Sequence, residues 1–394
     1  MANIMTILIF VEYPFTEWDY DRWGIAVISS NGFNVEVWDF ASWLHPDSLG
    51  VVPRTYPIRG VVPRIIRTKK DAQSALADLK LNVFIVNLVN YFPRSYLLYK
   101  YISANKLPYA VFMANALPPT APVESGRPAL TERLAKLLTL KPATVWQQLF
   151  IRCPKKILGV RAASIVLSGG EKSNLYRYPI DASTERLWAH TLDYDVYLRN
   201  KSASSDNSRA RYFVFLDEYL PYHRDYDLLK MKAPVTAKEY YPALCRLFEA
   251  IEKNTGCHVI VAAHPMSDYE KHPDSFGGRE VVCGRTAELV RGAECVIAHY
   301  STAISFAVMY RKPVIFVTTN EIEKSPANTF IRSMSQWLGK APINISNVRE
   351  IDIGSELRVD TEAYQNYGNA FIKKRGSDEL PFWQIFSNRM RQWQ

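Results

Sequence analysis

Between residues 211 and 317 the chain repeats one arrangement, a short apolar run that stops abruptly at a polar cluster. The run 211–216 (RYFVFL) stops at Asp217 and Glu218, and the run 257–263 (CHVIVAA) stops at His264 and Pro265. The third, 295–298 (CVIA), stops at His299, Tyr300, Ser301 and Thr302. Such runs read as buried strands of an open α/β sheet, whose carboxyl ends share one edge, and ligands bind in the crevice beyond that edge. An acid pair, a histidine and a hydroxyl pair are therefore expected to line one cleft.

The same alternation starts the chain. Residues 5–11 read as a buried strand, 20–30 as a helix and 33–40 as a second strand, a β-α-β unit that implies a parallel sheet with right-handed crossovers. Strands near 61–66, 81–86 and 109–113 continue it, with helices at 70–80 and 93–105. The proline-bearing stretch 116–128 reads as a loop over the cleft edge, followed by helices at 130–140 and 143–152. A short strand, 162–167, then ends in Ser168, Gly169 and Gly170, where the glycines either let a backbone approach a ligand closely or make a plain turn.

Two domains fit 394 residues at about 100 to 200 residues each. The polar run 201–208 (KSASSDNS) is the most linker-like stretch and marks the boundary. Beyond it, helices are expected at 237–253, 286–292, 303–310 and 325–338, and a strand at 313–317. The fold expected is thus α/β, with residues 1–200 and 201–375 as two Rossmann-like domains facing a central cleft. Residues 376–394 are aromatic and basic, which fits a membrane-surface helix or a terminal helix packing back across the domains; the second is the expectation.

Lys and Arg outnumber Asp and Glu by 48 to 39, a net charge of +9 that suits anionic partners such as phosphates, acidic sugars or anionic headgroups. No dense Lys/Arg tract or nucleic-acid motif is present, so nucleic acid is not an expected partner. The five cysteines, Cys153, Cys245, Cys257, Cys283 and Cys295, form no C-x-x-C pair, which fits a reducing cytoplasm. No signal-peptide pattern opens the chain, and no window approaches the roughly 20 apolar residues that span a bilayer. A soluble cytoplasmic protein is expected, with peripheral association at the inner membrane also compatible.

Each cluster has a plain structural reading beside the chemical one. His264 before Pro265 fits a turn; Ser301 and Thr302 fit a helix N-cap; Asp217 and Glu218 fit a solvated pair. The chemical readings are a phosphate donor, an anion site at a helix end, and a general base whose pKa is raised by burial. The triplet Asp-Tyr-Asp occurs at 19–21, 193–195 and 225–227, and three copies in a tyrosine-rich chain point to chance rather than to a metal site. No H-E-x-x-H, G-x-S-x-G, Walker A or G-x-G-x-x-G pattern is present, so no metal, no ATP and no dinucleotide cofactor is expected.

In order, Asp217 with Glu218, His264 with Pro265, and Ser301 with Thr302 resemble a motif trio of the bacterial sialyltransferases and related transferases of Kdo and other ulosonic acids. Those enzymes carry an acidic pair followed by glycine, then His-Pro, then a serine or Ser-Thr pair, on the two-domain GT-B fold. The resemblance covers residues 217–302 and leaves the first half unmatched; the family's glycine is Tyr219 here. It implies that Asp217 or Glu218, with Asp217 preferred, deprotonates an acceptor hydroxyl, and that His264, Ser301 and Thr302 hold the donor phosphate. It further implies a glycosyltransferase moving an ulosonic acid (Kdo, sialic, pseudaminic or legionaminic type) from a CMP-linked donor to a bacterial surface glycan or lipid-linked glycan, without metal. The second domain would then hold CMP and the first the acceptor. The alternatives are a UDP-sugar transferase or 2-epimerase on the same fold, or a non-catalytic glycan-binding scaffold.

Overall fold

The computed structural model describes residues 4–46, 56–79, 82–119, 142–173, 178–201, 211–223, 226, 231–347 and 352–393. Its strands are β1 (Thr6–Val11), β2 (Asn34–Asp39), β3 (Arg64–Ile65), β4 (Val83–Asn87), β5 (Tyr109–Phe112), β6 (Ile165–Ser168) and β7 (Glu185–Trp188), then β8 (Tyr212–Leu216), β9 (His258–Ala263), β10 (Val281–Cys283), β11 (Cys295–Ala298), β12 (Val314–Thr318) and β13 (Ile343–Asn344). They form two sheets, ordered β3-β2-β1-β4-β5-β6-β7 and β10-β9-β8-β11-β12-β13. Every pairing in both is parallel. Parallel strands are joined by helices that cover both faces, which is why β8, β11 and β12 are buried along their whole length and read as unbroken apolar runs.

The two sheets share one winding. Each begins at a central strand, winds outward through two more, then returns to the other side of the first strand. The return opens a crevice between first and fourth strands: β1 and β4 in the first domain, β8 and β11 in the second. Ligands bind at this switch point in open α/β sheets.

Two departures from the expected elements have physical causes. The helix expected over 20–30 is two helices, Glu17–Arg22 and Ile25–Ser30, separated at Gly24. Gly24 has φ 62°, and a Cβ there would lie 2.2 Å from Trp383. The terminal helix Phe382–Arg391 thus presses its Trp383 into the break, and it buries Phe382, Ile385, Phe386 and Met390 in the core that contains Ile7, Ile9 and Phe84 of the first sheet. The strands β7, β10 and β13 were not expected; they are short, and only partly buried or exposed, so they lack an apolar run. The helix expected at 130–140 lies outside the described residues.

The chain enters the second core ahead of the 201–208 run. Tyr194, on the helix Leu192–Lys201, belongs to the core of the second sheet, and Arg291 Nη1 donates to the Asn200 carbonyl at 2.6 Å. The chain returns through the helix Thr361–Tyr367 and a π-helical turn, Gly368–Ile372. The two crossings lie side by side: Thr191 N–H donates to the Ile372 carbonyl (2.8 Å), Lys172 N–H to Ala370 (2.8 Å) and Lys374 N–H to Gly169 (3.1 Å). This corrects the ligand reading of Gly169 and Gly170. A Cβ on Gly170 would meet the Ala370 backbone at 2.3 Å, and one on Gly169 would meet the Ala114 carbonyl at 2.5 Å, so the returning chain and the turn after β5 fill the space a ligand would need. Among the described residues no helix is long and apolar enough to cross a membrane.

Candidate active site

The three polar clusters of the second domain meet at its switch point because the acid pair ties them together. Asp217 accepts the Tyr219 N–H on Oδ1 at 3.0 Å and the His264 N–H on Oδ2 at 3.2 Å, joining the ends of β8 and β9. Glu218 Oε1 accepts the Tyr300 N–H at 2.9 Å, joining the ends of β8 and β11 across the crevice. Both acids are buried rather than solvated. Burial pushes the Glu218 carboxyl up to about 8, against the Tyr300 N–H and with a further push from Asp217. Burial also raises Asp217, while the Tyr219 and His264 N–H groups pull it back. Glu218 Oε2 is buried with no hydrogen-bond partner among the described residues. A buried polar atom left open is costly and calls for an explanation, of which a catalytic role is one.

Tyr219 stands where the resembled family has glycine, and it adopts φ 52°, the left-handed conformation that glycine takes without strain. The backbone therefore turns as a glycine would allow, and the side chain is turned inward, 5.2 Å edge-on to Tyr269 and 5.5 Å from Tyr222 between ring centroids. Left-handed strain on a non-glycine residue costs about 1–2 kcal/mol. Removing a buried aromatic ring costs about 3–5 kcal/mol. Packing wins, so Tyr219→Gly is expected to lose about 2 kcal/mol in urea unfolding; a stabilised variant would show that the strain dominates.

His264 Nδ1 accepts the Met266 N–H at 3.2 Å, which leaves the ring proton on Nε2, and the His223 ring lies 4.9 Å away. Pro265 opens the exposed turn after it. The hydroxyl pair behaves differently from the N-cap expectation. Ser301 Oγ accepts the Ala303 N–H at 3.3 Å, Thr302 is exposed, and the following helix, Ile304–Met309, begins at Ala303 with no side-chain cap. Six residues give little macrodipole, so any anion binding here rests on the hydroxyls and exposed N–H groups. His299 is a core residue: its Nδ1 donates to the Val317 carbonyl (2.7 Å), its Nε2 accepts from Tyr240 Oη (2.9 Å), and burial pushes it down to about 4.

The first domain's switch point carries a cluster that the sequence reading missed. Glu12 follows β1 as Asp217 follows β8. Its Oε2 accepts from Asn90 N (2.9 Å) and Nδ2 (2.8 Å), bridging β1 to the loop after β4 as Glu218 bridges β8 to the loop after β11. Glu12 Oε1 lies 2.9 Å from His45 Nε2, and His45 Nδ1 lies 2.9 Å from Arg94 Nη1. A guanidinium only donates, so Nδ1 accepts and Nε2 carries the proton toward Glu12. Tyr13 stacks on the same imidazole at 4.7 Å. The exposed Arg94 is thereby steered by a buried acid through a histidine.

The Asp-Tyr-Asp triplets serve structure where they are described. Asp19 accepts the N–H of the N-cap Thr16 at 3.0 Å, Asp21 pairs with Arg59 at 2.7 Å, the charge of Asp193 favours the Arg22 guanidinium, and Asp195 accepts the Phe382 N–H at 2.8 Å. Asp225 and Asp227 lie outside the described residues.

No protein-family model matches the chain, and no curated protein matches it in sequence. Solved structures do. The S. aureus MnaA–UDP co-structure is similar at 12% identity over 99% of this chain and 97% of its own, with a TM-score of 0.51. CalG4, the calicheamicin glycosyltransferase, is similar at 10% identity over 99% and 97%, with a TM-score of 0.52. A putative UDP-N-acetylglucosamine 2-epimerase from Listeria monocytogenes is similar at 11% identity over 99% and 95%, with a TM-score of 0.51. The whole chain therefore has the GT-B fold.

Proposed function

We propose that the chain is a nucleotide-sugar glycosyltransferase, with the nucleotide held at the second domain's switch point and the acceptor at the first. The observation that carries this reading is Glu218, a buried carboxyl with one open oxygen, anchored between the ends of β8 and β11. In the reaction proposed, an acceptor O–H gives its proton to the Glu218 carboxylate, and its oxygen forms a bond to the anomeric carbon. The anomeric C–O bond to the nucleotide breaks, and the electron pair leaves with the phosphate. His264 Nε2–H and the hydroxyls of Ser301 and Thr302 donate to that phosphate. Asp217, whose two oxygens are taken by backbone N–H groups, becomes the positioning residue that sets His264 against Glu218. This moves the base from Asp217, preferred on sequence, to Glu218. In the first domain Arg94, steered by Glu12 and His45, supplies a cation to the sugars.

UDP is the preferred nucleotide, supported by the UDP enzymes among the similar structures. A CMP-linked ulosonic acid is the second reading, favoured by the ordered trio of Asp217 with Glu218, His264 with Pro265, and Ser301 with Thr302. The test is a thermal-shift series with UDP, CMP, CDP and GDP, each without and with Mg²⁺. A ligand at 100 times its Kd stabilises by about 2.7 kcal/mol. Selective stabilisation by UDP is expected, and selective CMP stabilisation would move the assignment to the ulosonic acid donor. Protection by no nucleotide would leave a non-catalytic glycan-binding scaffold. Conversion of UDP-N-acetylglucosamine with no acceptor present would instead identify a 2-epimerase.

A further inference from the structure

Where the chain crosses between the domains lies a cavity of about 530 Å³ that the proposed chemistry does not use. Its walls come from the helix Leu192–Lys201, the end of the helix Ile304–Met309, the helix Thr361–Tyr367 and the π-helical turn Gly368–Ile372. Ser301 and Arg311 flank opposite ends of the helix Ile304–Met309, whose six residues rise about 9 Å, and the cavity's lining includes neither Ser301 nor the acid pair. The cavity is thus separate from the strand-end cluster.

Its lining has one sign of charge. Arg311, Lys373 and Arg375 face it, and among the described residues no Asp or Glu does. The side chains of Arg311 and Arg375 form no ion pair or hydrogen bond among the described residues. Arg311 sits at φ 54°, the left-handed position that closes the helix Ile304–Met309: its N–H donates to the Val308 carbonyl at 3.2 Å and the Lys312 N–H to the Ala307 carbonyl at 2.8 Å. A π-helical turn forms the opposite wall, a feature frequent at functional sites. The half-buried Tyr197 adds an aromatic face in front of the buried Tyr194 and Tyr364, and the negative face of a tyrosine ring attracts the slightly positive C–H groups of a pyranose. The volume falls within the range of small-ligand pockets, about 300–1,000 Å³.

We propose that this cavity binds an anionic sugar, a pyranose bearing a carboxylate or a phosphate, with Arg311, Lys373 and Arg375 on the anion and Tyr197 on the ring. The test is isothermal titration calorimetry of the full chain with D-glucuronate, glucose 1-phosphate, neutral glucose and inorganic phosphate. The comparison is the double variant Arg311→Gly, Arg375→Ser. Glycine suits the left-handed position, so the variant is expected to melt at or above the wild-type temperature. Both anionic sugars are expected to bind the wild type, at least tenfold tighter than glucose or inorganic phosphate, and at least tenfold tighter than they bind the variant. The tighter of the two names the anion. Stabilisation by UDP or CMP should be equal in both proteins. Glucose or inorganic phosphate binding as tightly as the anionic sugars, equal affinity in the variant, or no binding up to roughly 10 mM would each overturn the proposal.

Discussion

Changing Glu218 to Gln is expected to lower the transfer rate by about 10²–10⁴ while leaving the fold intact and flattening the dependence of stability on pH. The carboxyl sits near 4.3 in an unfolded chain and about 8 in the folded one, raised first by burial. Between those values the folded state holds a proton that the unfolded state has released. The stabilisation is therefore fully present below about pH 4 and is lost as pH rises through about 8, at up to about 1.4 kcal/mol per pH unit. The wild-type melting temperature should fall from pH 5 to pH 8. In Glu218→Gln the fall should be shallower but not absent, because burial raises Asp217 in the same direction. Activity should run the opposite way, rising with pH through about 8 as the base form appears, and no such limb should remain in the variant. A rate that instead drops above pH 8 would make Glu218 a proton donor to the leaving group.

Asp217→Asn separates positioning from proton transfer. The amide keeps one acceptor, so either the Tyr219 or the His264 N–H must face an NH₂ group, a loss of about 1–3 kcal/mol. Its activity defect should appear mainly in KM for the nucleotide sugar, through a displaced His264, with the pH limb of Glu218 retained.

The second-domain cluster was legible in the sequence because local signals coincide there: each strand runs apolar into its polar break, since helices cover both faces, and each break falls at the same sheet edge. Which acid does what was not legible. Asp217 and Glu218 are neighbours in sequence, and only the N–H groups of Tyr219, His264 and Tyr300, arriving from three different loops, make one filled and the other half-open. The first-domain cluster was hidden for a similar reason. Glu12, His45, Asn90 and Arg94 come from three separate strand ends, and no short motif contains them; the available signal was that Glu12 ends an apolar run as Asp217 does. The glycines were legible as close approaches but not as to what: at Gly170 it is the backbone of Ala370, far along the chain.

The other large effect expected is at the far end of the chain. Trp383→Ala removes an indole that is almost wholly buried, whose Nε1 donates to the Arg22 carbonyl at 2.8 Å and whose ring packs 5.0 Å from Phe382 and 5.6 Å from Phe386. Deleting a buried large aromatic costs about 3–5 kcal/mol, or on the order of 10 °C for a domain of this size. Gly24→Ala attacks the same contact from the other side. The new Cβ meets Trp383 at 2.2 Å, and the left-handed φ adds strain of its own. The two changes should therefore couple. Once Trp383 is gone the overlap disappears, and Gly24→Ala should then cost only the backbone strain, so the double variant should be about 1–3 kcal/mol more stable than the sum of the single changes. Additive losses would mean that Gly24 is there for its dihedral angle alone. Because Trp383 lies in the first domain's core and the switch-point acids in the second, stabilisation by nucleotide should survive in Trp383→Ala on the higher of two melting transitions. If nucleotide stabilisation vanished together with the first domain's core, the binding site would have to draw on both domains.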